Sequence, residues 1–126
     1  MRRALLPLLA ACACLLAPPT PAAADRVLDS HCSPSGDYCT AVVRSRGRIK
    51  LVLRTFSFRG SYELCVRPPG LPRECKSFRL FATRHGIYAS RVDLARNFVT
   101  SRRGRYAVSW RYEGFRVGPA LHFRKR

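Results

Sequence analysis

The sequence predicts an all-β protein, a small β-sandwich of about seven antiparallel strands. Short segments of alternating apolar and polar residues are separated by turns that contain Gly or Pro, which is the pattern of such sandwiches. Apolar residues nowhere repeat at the helical spacing i, i+3, i+4, i+7 over three turns. Residues 25–126 are enough for one domain with one core. The strands are expected near residues 38–44, 48–55, 61–67, 75–81, 87–92, 105–112 and 115–123.

The first 24 residues have the pattern of a secretory signal peptide. A basic start is followed by an apolar run over residues 4–17 and by small residues before Asp25, where a signal peptidase would cut. That run is too short to span a bilayer well, and no later segment is apolar enough for a membrane anchor. We therefore expect a signal peptide at 1–24 and a single secreted, disulfide-containing domain at 25–126, with no transmembrane segment in the mature chain.

A lipid anchor is the alternative to simple secretion. The segment Leu9–Cys12 fits a bacterial lipobox, in which the cysteine is lipidated and becomes the new N-terminus. The apolar run continues past Cys12, however, and only about eight apolar residues precede it, at the low end of the range for a signal sequence. Cleavage before Asp25 is therefore the favoured prediction.

Excess positive charge is the strongest feature of the composition. The whole chain has 24 basic and 7 acidic residues, a net charge of +17, and loss of Arg2 and Arg3 with the leader leaves 22 basic residues and a net charge of +15. Such a charge favours anionic partners and opposes self-association. Nine of the cations form three clusters at predicted turns and at the end of the sequence, and these are the candidate anion-binding residues. They are Arg44, Arg46 and Arg48; Arg102, Arg103 and Arg105; and Arg124, Lys125 and Arg126.

Alternation within the chain is clearest in the segment 48–55. Leu51 and Leu53 share one face there, and charged residues lie on the other. The pattern changes after Thr55, so a strand end or a bulge is expected at that point. The preceding segment, 38–44, also alternates, and a basic turn joins the two. One helical turn is expected later, between residues 93 and 100.

Four cysteines follow the leader, and in a small exported protein an even count indicates disulfides. In the strands at 61–67 and 75–81 the cysteines lie on the outer face, and a turn-rich segment joins those strands as a hairpin. A bond across the hairpin is therefore expected, and the first two cysteines then close a small loop. The predicted disulfides are Cys32–Cys39 and Cys65–Cys75.

The segment 104–123 gives the firmest prediction, a β-hairpin that turns at Glu113-Gly114. Its aromatic and aliphatic residues share one parity on both sides of the turn, so a two-residue turn places them all on one face. The expected partners are Tyr112 with Phe115, Trp110 with Val117, and Val108 with Pro119.

The phrase Gly104-Arg-Tyr106-Ala-Val108 resembles the tyrosine corner of immunoglobulin-like domains. This resemblance implies an immunoglobulin-like sandwich in which the Tyr106 hydroxyl bonds the preceding backbone. The last hairpin is also similar to that of bacterial copper-carrier sandwiches, which bind copper through a histidine near the mature N-terminus and others in loops. The only matching candidate here is His31, and the hairpin turn carries no histidine.

Catalytic and metal chemistry find little support in the sequence. A metal site would use His31 with Cys32 and Cys39, but zinc-binding cysteines are usually separated by two to four residues and these by six, so no cofactor is expected. The chain has no G-x-S-x-G elbow, no spaced carboxylate pair and no phosphate-binding Gly loop. Two acids, Asp25 and Asp29, fall in a segment expected to be a tail.

Basic and aromatic residues interleave at 54–59 and at 111–116. Such pairs stack bases or sugars in some proteins. Strand alternation, with the aromatics in the core and the arginines in water, explains them without a ligand, and that interpretation is favoured.

These observations favour a non-catalytic binding or structural domain that meets an anionic cell-surface polymer or another extracellular polyanion. The alternatives are a copper carrier that uses His31 and a secreted enzyme. The three basic clusters form one patch if they lie at one end of the sandwich, but adjacent turns can point to opposite ends. The sequence does not set the oligomeric state.

Overall fold

The computed structural model describes residues 25–126, of which 59% lie in strands and 7% in helices. The protein is therefore all-β, as the alternation predicts. The expected signal peptide at 1–24 and the alternative lipid anchor at Cys12 lie outside the described residues. Within 25–126 no helix is both long and apolar enough to cross a membrane.

All seven predicted segments form strands, and three more strands appear in the described part of the chain. One covers the residues expected to be a tail, and two arise because the segments 75–81 and 115–123 are each interrupted. A short 3-10 turn, Arg84–Gly86, and one helical turn accompany them. The elements are β1 Arg26–Cys32, β2 Tyr38–Ser45, β3 Arg48–Thr55, β4 Ser61–Arg67, β5 Glu74–Arg79, β6 Phe81–Ala82, β7 Tyr88–Asp93, α1 Leu94–Asn97, β8 Gly104–Tyr112, β9 Phe115–Arg116 and β10 Leu121–Lys125.

The strands form two antiparallel sheets of five strands each. Sheet A has the order β1-β2-β3-β7-β6, and sheet B has the order β10-β8-β4-β5, with β9 paired to β8. The inward residues of both sheets belong to one hydrophobic core, so each sheet buries one face against the other. The largest fully buried side chains are Trp110, Tyr106, Leu51, Leu53 and Leu64.

The expectation that Asp25 and Asp29 lie in a tail is wrong. They flank the beginning of β1, whose pairing with β2 shifts between Val27 and Asp29 because Leu28 bulges and packs against the core. The Asp29 carboxylate accepts the backbone N–H of His122 in β10 at 2.8 Å. Asp25 forms an ion pair with Arg91 at 3.1 Å.

The last hairpin forms at the expected turn, but its register and one of its faces differ from the prediction. Tyr112 pairs with Phe115, and the Trp110 carbonyl accepts a hydrogen bond from the Val117 N–H at 2.9 Å. Val108 then pairs with Leu121 instead of Pro119. The chain leaves the sheet there because Gly118 has φ +74° and proline has no N–H for the ladder. Since the slip is two residues, Leu121 and Phe123 still face inward. Phe115, which was expected to face the core, is 78% exposed at the tip.

The disulfides are Cys32–Cys39 and Cys65–Cys75, the pairing expected from loop size and strand faces. Cys65 lies directly across from Cys75 in the β4–β5 hairpin. The helical turn expected after residue 93 is α1, which Asp93 caps by accepting the Arg96 N–H at 3.2 Å.

Candidate anion-binding site

A tight two-residue turn between β2 and β3 presents the first basic cluster. Arg46 and Gly47 both have positive φ, +51° and +75°, as a type I′ turn requires. The turn places Arg44 and Arg48 at the adjacent ends of the two strands, and both are exposed. Arg46 projects from the turn itself and is also exposed.

The third basic cluster lies at the same end of the molecule. β10 ends with Arg124 and Lys125, and Lys125 pairs with Gly104 at the beginning of β8. β1 begins beside the first cluster, because its first residue, Arg26, pairs with Arg44. Arg44 and Arg48 of the first cluster and all three residues of the third cluster line one open cavity of about 920 Å³, which we call the basic groove. Its lining residues include the cations Arg26, Arg44, Arg48, Arg124, Lys125 and Arg126, and no carboxylate among the described residues.

Asp93 sets the charge at one side of the basic groove. Its Oδ2 lies 2.9 Å from Lys50 Nζ and 2.9 Å from Arg48 Nε. The hydrogen bond from Lys50, together with the Arg96 N–H and the two nearby positive charges, holds the pKa of Asp93 below its usual value against the opposing effect of burial. Arg48 is therefore partly neutralised, and its guanidinium is held in place.

The other groove cations are differently placed. Lys125 Nζ donates to the Thr100 carbonyl, which fixes that side chain against the segment before β8. Within residues 25–126, none of the remaining four guanidiniums has a carboxylate within ion-pair distance. These four are Arg26, Arg44, Arg124 and Arg126.

The second basic cluster lies near the basic groove but does not line it. Arg102 and Arg103 come immediately before β8, and Arg105 pairs with Arg124 across sheet B. All three are exposed. Arg102 also provides the carbonyl that accepts the Tyr106 hydroxyl at 2.5 Å. The nine predicted anion-binding residues thus gather at one end of the strands, with five of them in the groove wall.

Arg26 is the groove residue that the sequence did not single out. Arg26 has no basic neighbours in the sequence, and the bulge at Leu28 breaks the alternation that would have indicated its strand. The floor of the groove is apolar, formed by Leu28, Ile49, Leu94 and Phe123. Guanidiniums above an apolar floor are suited to phosphate, sulfate or carboxylate groups, because each offers planar paired donors and the floor limits competing water.

Within residues 25–126, His31 does not belong to a compact group of three metal-binding side chains. Its ring lies 6.1 Å from that of Tyr38 and packs against Gly118. Cys32 and Cys39 are joined to each other and so offer no thiolate. Among the described residues, the one compact group of three such side chains is Glu63, Cys65 and Cys75, and both of its sulfurs are in a disulfide.

Comparison of the chain with protein-family models, curated proteins and solved structures finds no match. The chemistry of the basic groove therefore follows from its own geometry. In that geometry six cations surround an apolar floor, and two of them, Arg48 and Lys125, have polar partners in the described chain.

Proposed function

We propose that the protein is a non-catalytic extracellular domain that binds an anionic polymer in the basic groove. One observation carries the proposal: residues far apart in sequence bring six cations and no carboxylate to the wall of a single cavity. Four of those cations have no carboxylate of the described chain beside them, so an external anion is the partner that would neutralise them. A polymer suits the site because Arg46, Arg102, Arg103 and Arg105 continue the positive surface beyond the groove.

We also propose an immunoglobulin-like sandwich as the scaffold. With β2 as strand A, the order β2-β3-β7-β6 corresponds to A-B-E-D, and β10-β8-β4-β5 corresponds to G-F-C-C′. Strand β1 would then be an addition at the edge of sheet A. The Tyr106 hydroxyl, which donates to the Arg102 carbonyl at the beginning of β8, supports the same assignment because tyrosine corners occur where strand F begins.

The two disulfides are compatible with an oxidising, extracellular location. In that setting the candidate ligands are phosphate-, sulfate- or carboxylate-bearing polymers at a cell surface. Arginine distinguishes them poorly by chemistry alone, because it binds all three groups in the same paired geometry. Affinity is expected to depend on charge density and on salt.

The test compares two charge-matched variants. The groove variant replaces Arg26, Arg44, Arg124 and Arg126 with Gln, and the control variant replaces four exposed arginines that lie outside the groove, Arg67, Arg73, Arg79 and Arg84. Binding to heparin, to a teichoic-type polymer and to duplex DNA is measured across a salt series.

If the groove holds the polymer, log affinity falls linearly with log salt, and the slope on DNA decreases by about 3 to 4 for the groove variant because each lost contact removes about 0.9. The control variant should lose less than half as much. Equal changes in the two variants would mean that only total charge matters. Absence of binding to all three polymers at about 0.15 M salt, where the Debye length is about 8 Å, would reject the function itself.

A further inference from the structure

The two segments in which basic and aromatic residues interleave meet in space. β3 runs from the basic groove to Thr55, and β8 runs from Gly104 to Tyr112, so the segments that follow them lie at the far end of the strands. We call this end the aromatic tip. It consists of Phe56, Phe58, Arg59, Tyr112, Phe115 and Arg116.

Direct contacts tie the two segments of the aromatic tip together. The Phe58 and Tyr112 rings stack with centroids 4.6 Å apart and planes 24° apart. The Tyr112 hydroxyl donates to the Arg59 carbonyl at 3.0 Å. Behind them, Tyr38 lies 6.5 Å from Phe58. These half-buried rings pack together and support the exposed residues of the aromatic tip.

Two phenylalanines project from that base into solvent. Phe56 is 60% exposed and Phe115 is 78% exposed. Phe115 pairs with Tyr112 across the β8–β9 hairpin, so the two side chains lie on the same face of it. Alternation of core aromatics with solvent arginines accounts for Phe58 and Tyr112, but it does not account for these two. Both rings are exposed at the same end of the strands, and exposed large apolar side chains at one end indicate an interaction surface.

The chemistry around the aromatic tip identifies its partner. The phenylalanine rings offer no hydrogen bond and gain free energy mainly by leaving water, so a partner with apolar volume suits them best. The chain neighbours of the exposed rings include the cations Arg59 and Arg116, both exposed, and two acids, Glu113 in the turn and Asp37, whose carbonyl accepts the Phe56 N–H at 2.8 Å. A second copy of this chain is disfavoured as the partner because each copy carries a net charge of +15.

We infer that the aromatic tip docks on a lipid bilayer that contains anionic lipids. Phe56 and Phe115 enter the boundary between headgroups and acyl chains, and Arg59 and Arg116 contact lipid phosphates. Interfacial binding of this kind depends on buried apolar area and on attraction to anionic lipid. Only turn residues enter the interface, so the hydrogen-bonded ladders of both sheets remain outside it.

This orientation leaves the basic groove free. β8 has nine residues, which places its two ends about 25–30 Å apart. That distance exceeds the Debye length of about 8 Å at physiological salt, so the two sites act independently. A protein docked through its aromatic tip presents the basic groove to the aqueous phase, and the inference does not depend on polymer binding.

The test measures co-sedimentation with vesicles of equimolar phosphatidylglycerol and phosphatidylcholine, and with phosphatidylcholine alone. The tip variant combines Phe56→Ser and Phe115→Ser, and the control combines Val27→Ser and Val99→Ser, which alter side chains that are 57% and 46% exposed at the opposite end of the strands. The tip variant should partition onto the mixed vesicles at least about tenfold more weakly than the parent, because two apolar rings no longer enter the bilayer. The control should bind like the parent, and phosphatidylcholine alone should bind less of every protein.

A second measurement reports insertion directly. In Phe115→Trp, the added indole should shift its emission to shorter wavelength on the mixed vesicles and be quenched by brominated acyl chains, whereas buried Trp110 gives a constant background. All replaced residues are exposed, so an unchanged circular dichroism spectrum and melting temperature verify the fold. Parent-like vesicle binding by the tip variant, an equal loss in the Val27→Ser, Val99→Ser control, or absence of quenching would overturn the inference. Polymer binding by the tip variant should stay unchanged in every case.

Discussion

The Tyr62 hydroxyl of β4 donates a hydrogen bond to Ser90 Oγ of β7 at 2.7 Å, and this bond joins the two sheets inside the core. Both residues are buried. Burial disfavours the phenolate and raises the pKa of Tyr62 to about 12, although the hydrogen bond with Ser90 acts in the opposite direction. The hydroxyl therefore stays protonated in the folded protein at pH values that ionise it in the unfolded chain.

This difference predicts an alkaline loss of stability. The contribution of Tyr62 is fully present below the unfolded pKa of about 10 and is lost as the pH rises towards 12, at about 1.4 kcal/mol per unit, or roughly 2–3 kcal/mol in total. Urea unfolding of the parent between pH 9 and 12 should show the fall. Tyr62→Phe should start from lower stability but decline less steeply. Identical slopes in the parent and Tyr62→Phe would contradict the assignment.

A second prediction concerns the carboxylate that joins the edges of the two sheets. Asp29 accepts the His122 N–H through Oδ2 at 2.8 Å and the Ser30 N–H through Oδ1 at 2.9 Å. Asp29→Ala removes both charge-assisted bonds and leaves a half-buried N–H on β10 without its acceptor, so a loss of about 1–3 kcal/mol is expected. Asp37→Ala provides the control, because its exposed carboxylate accepts from the Ser35 hydroxyl within one loop and joins no two strands. Equal losses in chemical denaturation would mean that the contact between β1 and β10 contributes nothing.

Local alternation was sufficient to predict most of the strands, because parity depends only on neighbouring residues. It failed at β1, where the bulge at Leu28 breaks the period, and at β10, where Gly118 and Pro119 leave the ladder. The bulge at Leu28 has no clear local signal in the sequence, whereas Gly118-Pro119 is a recognisable break whose effect on the register is not given by alternation alone. Both disulfides were predictable because face parity limited the partners.

The candidate site, like the strands, was predictable from the sequence only in part. Clusters of cations are visible in the sequence, but whether the turn at 45–48 and the C-terminal residues share an end depends on strand order and direction, which are properties of the whole fold. Arg26 was missed because it carries no local signal. The parity of Phe115 predicts a core position, yet β9 is only two residues long and Phe115 is exposed. Parity gives the face of a strand and does not give how far the core extends.

The turn between β8 and β9 provides the last prediction. Glu113 and Gly114 both have positive φ, +49° and +82°, as a type I′ turn requires. The left-handed region costs an ordinary residue about 1–2 kcal/mol, whereas Asn tolerates it and Asn-Gly is a preferred pair in this turn. Glu113→Asn should therefore raise the free energy of unfolding by about 0.5–1 kcal/mol, and the β-branched substitution Glu113→Val should lower it.

Removal of a negative charge from a basic protein is a separate effect that the comparison has to exclude. Glu113→Gln removes the same charge but keeps a side chain that is unsuited to positive φ, so the difference between Asn and Gln at this position measures the backbone contribution. The readout is the urea midpoint at constant m-value. Arg46 occupies the equivalent place in the β2–β3 turn, with φ +51°, so Arg46→Asn should give a similar gain. Because the two turns lie at opposite ends of the strands, the gains should add within about 0.5 kcal/mol. If Asn is no better than Gln at residue 113, the left-handed backbone of the turn does not limit stability.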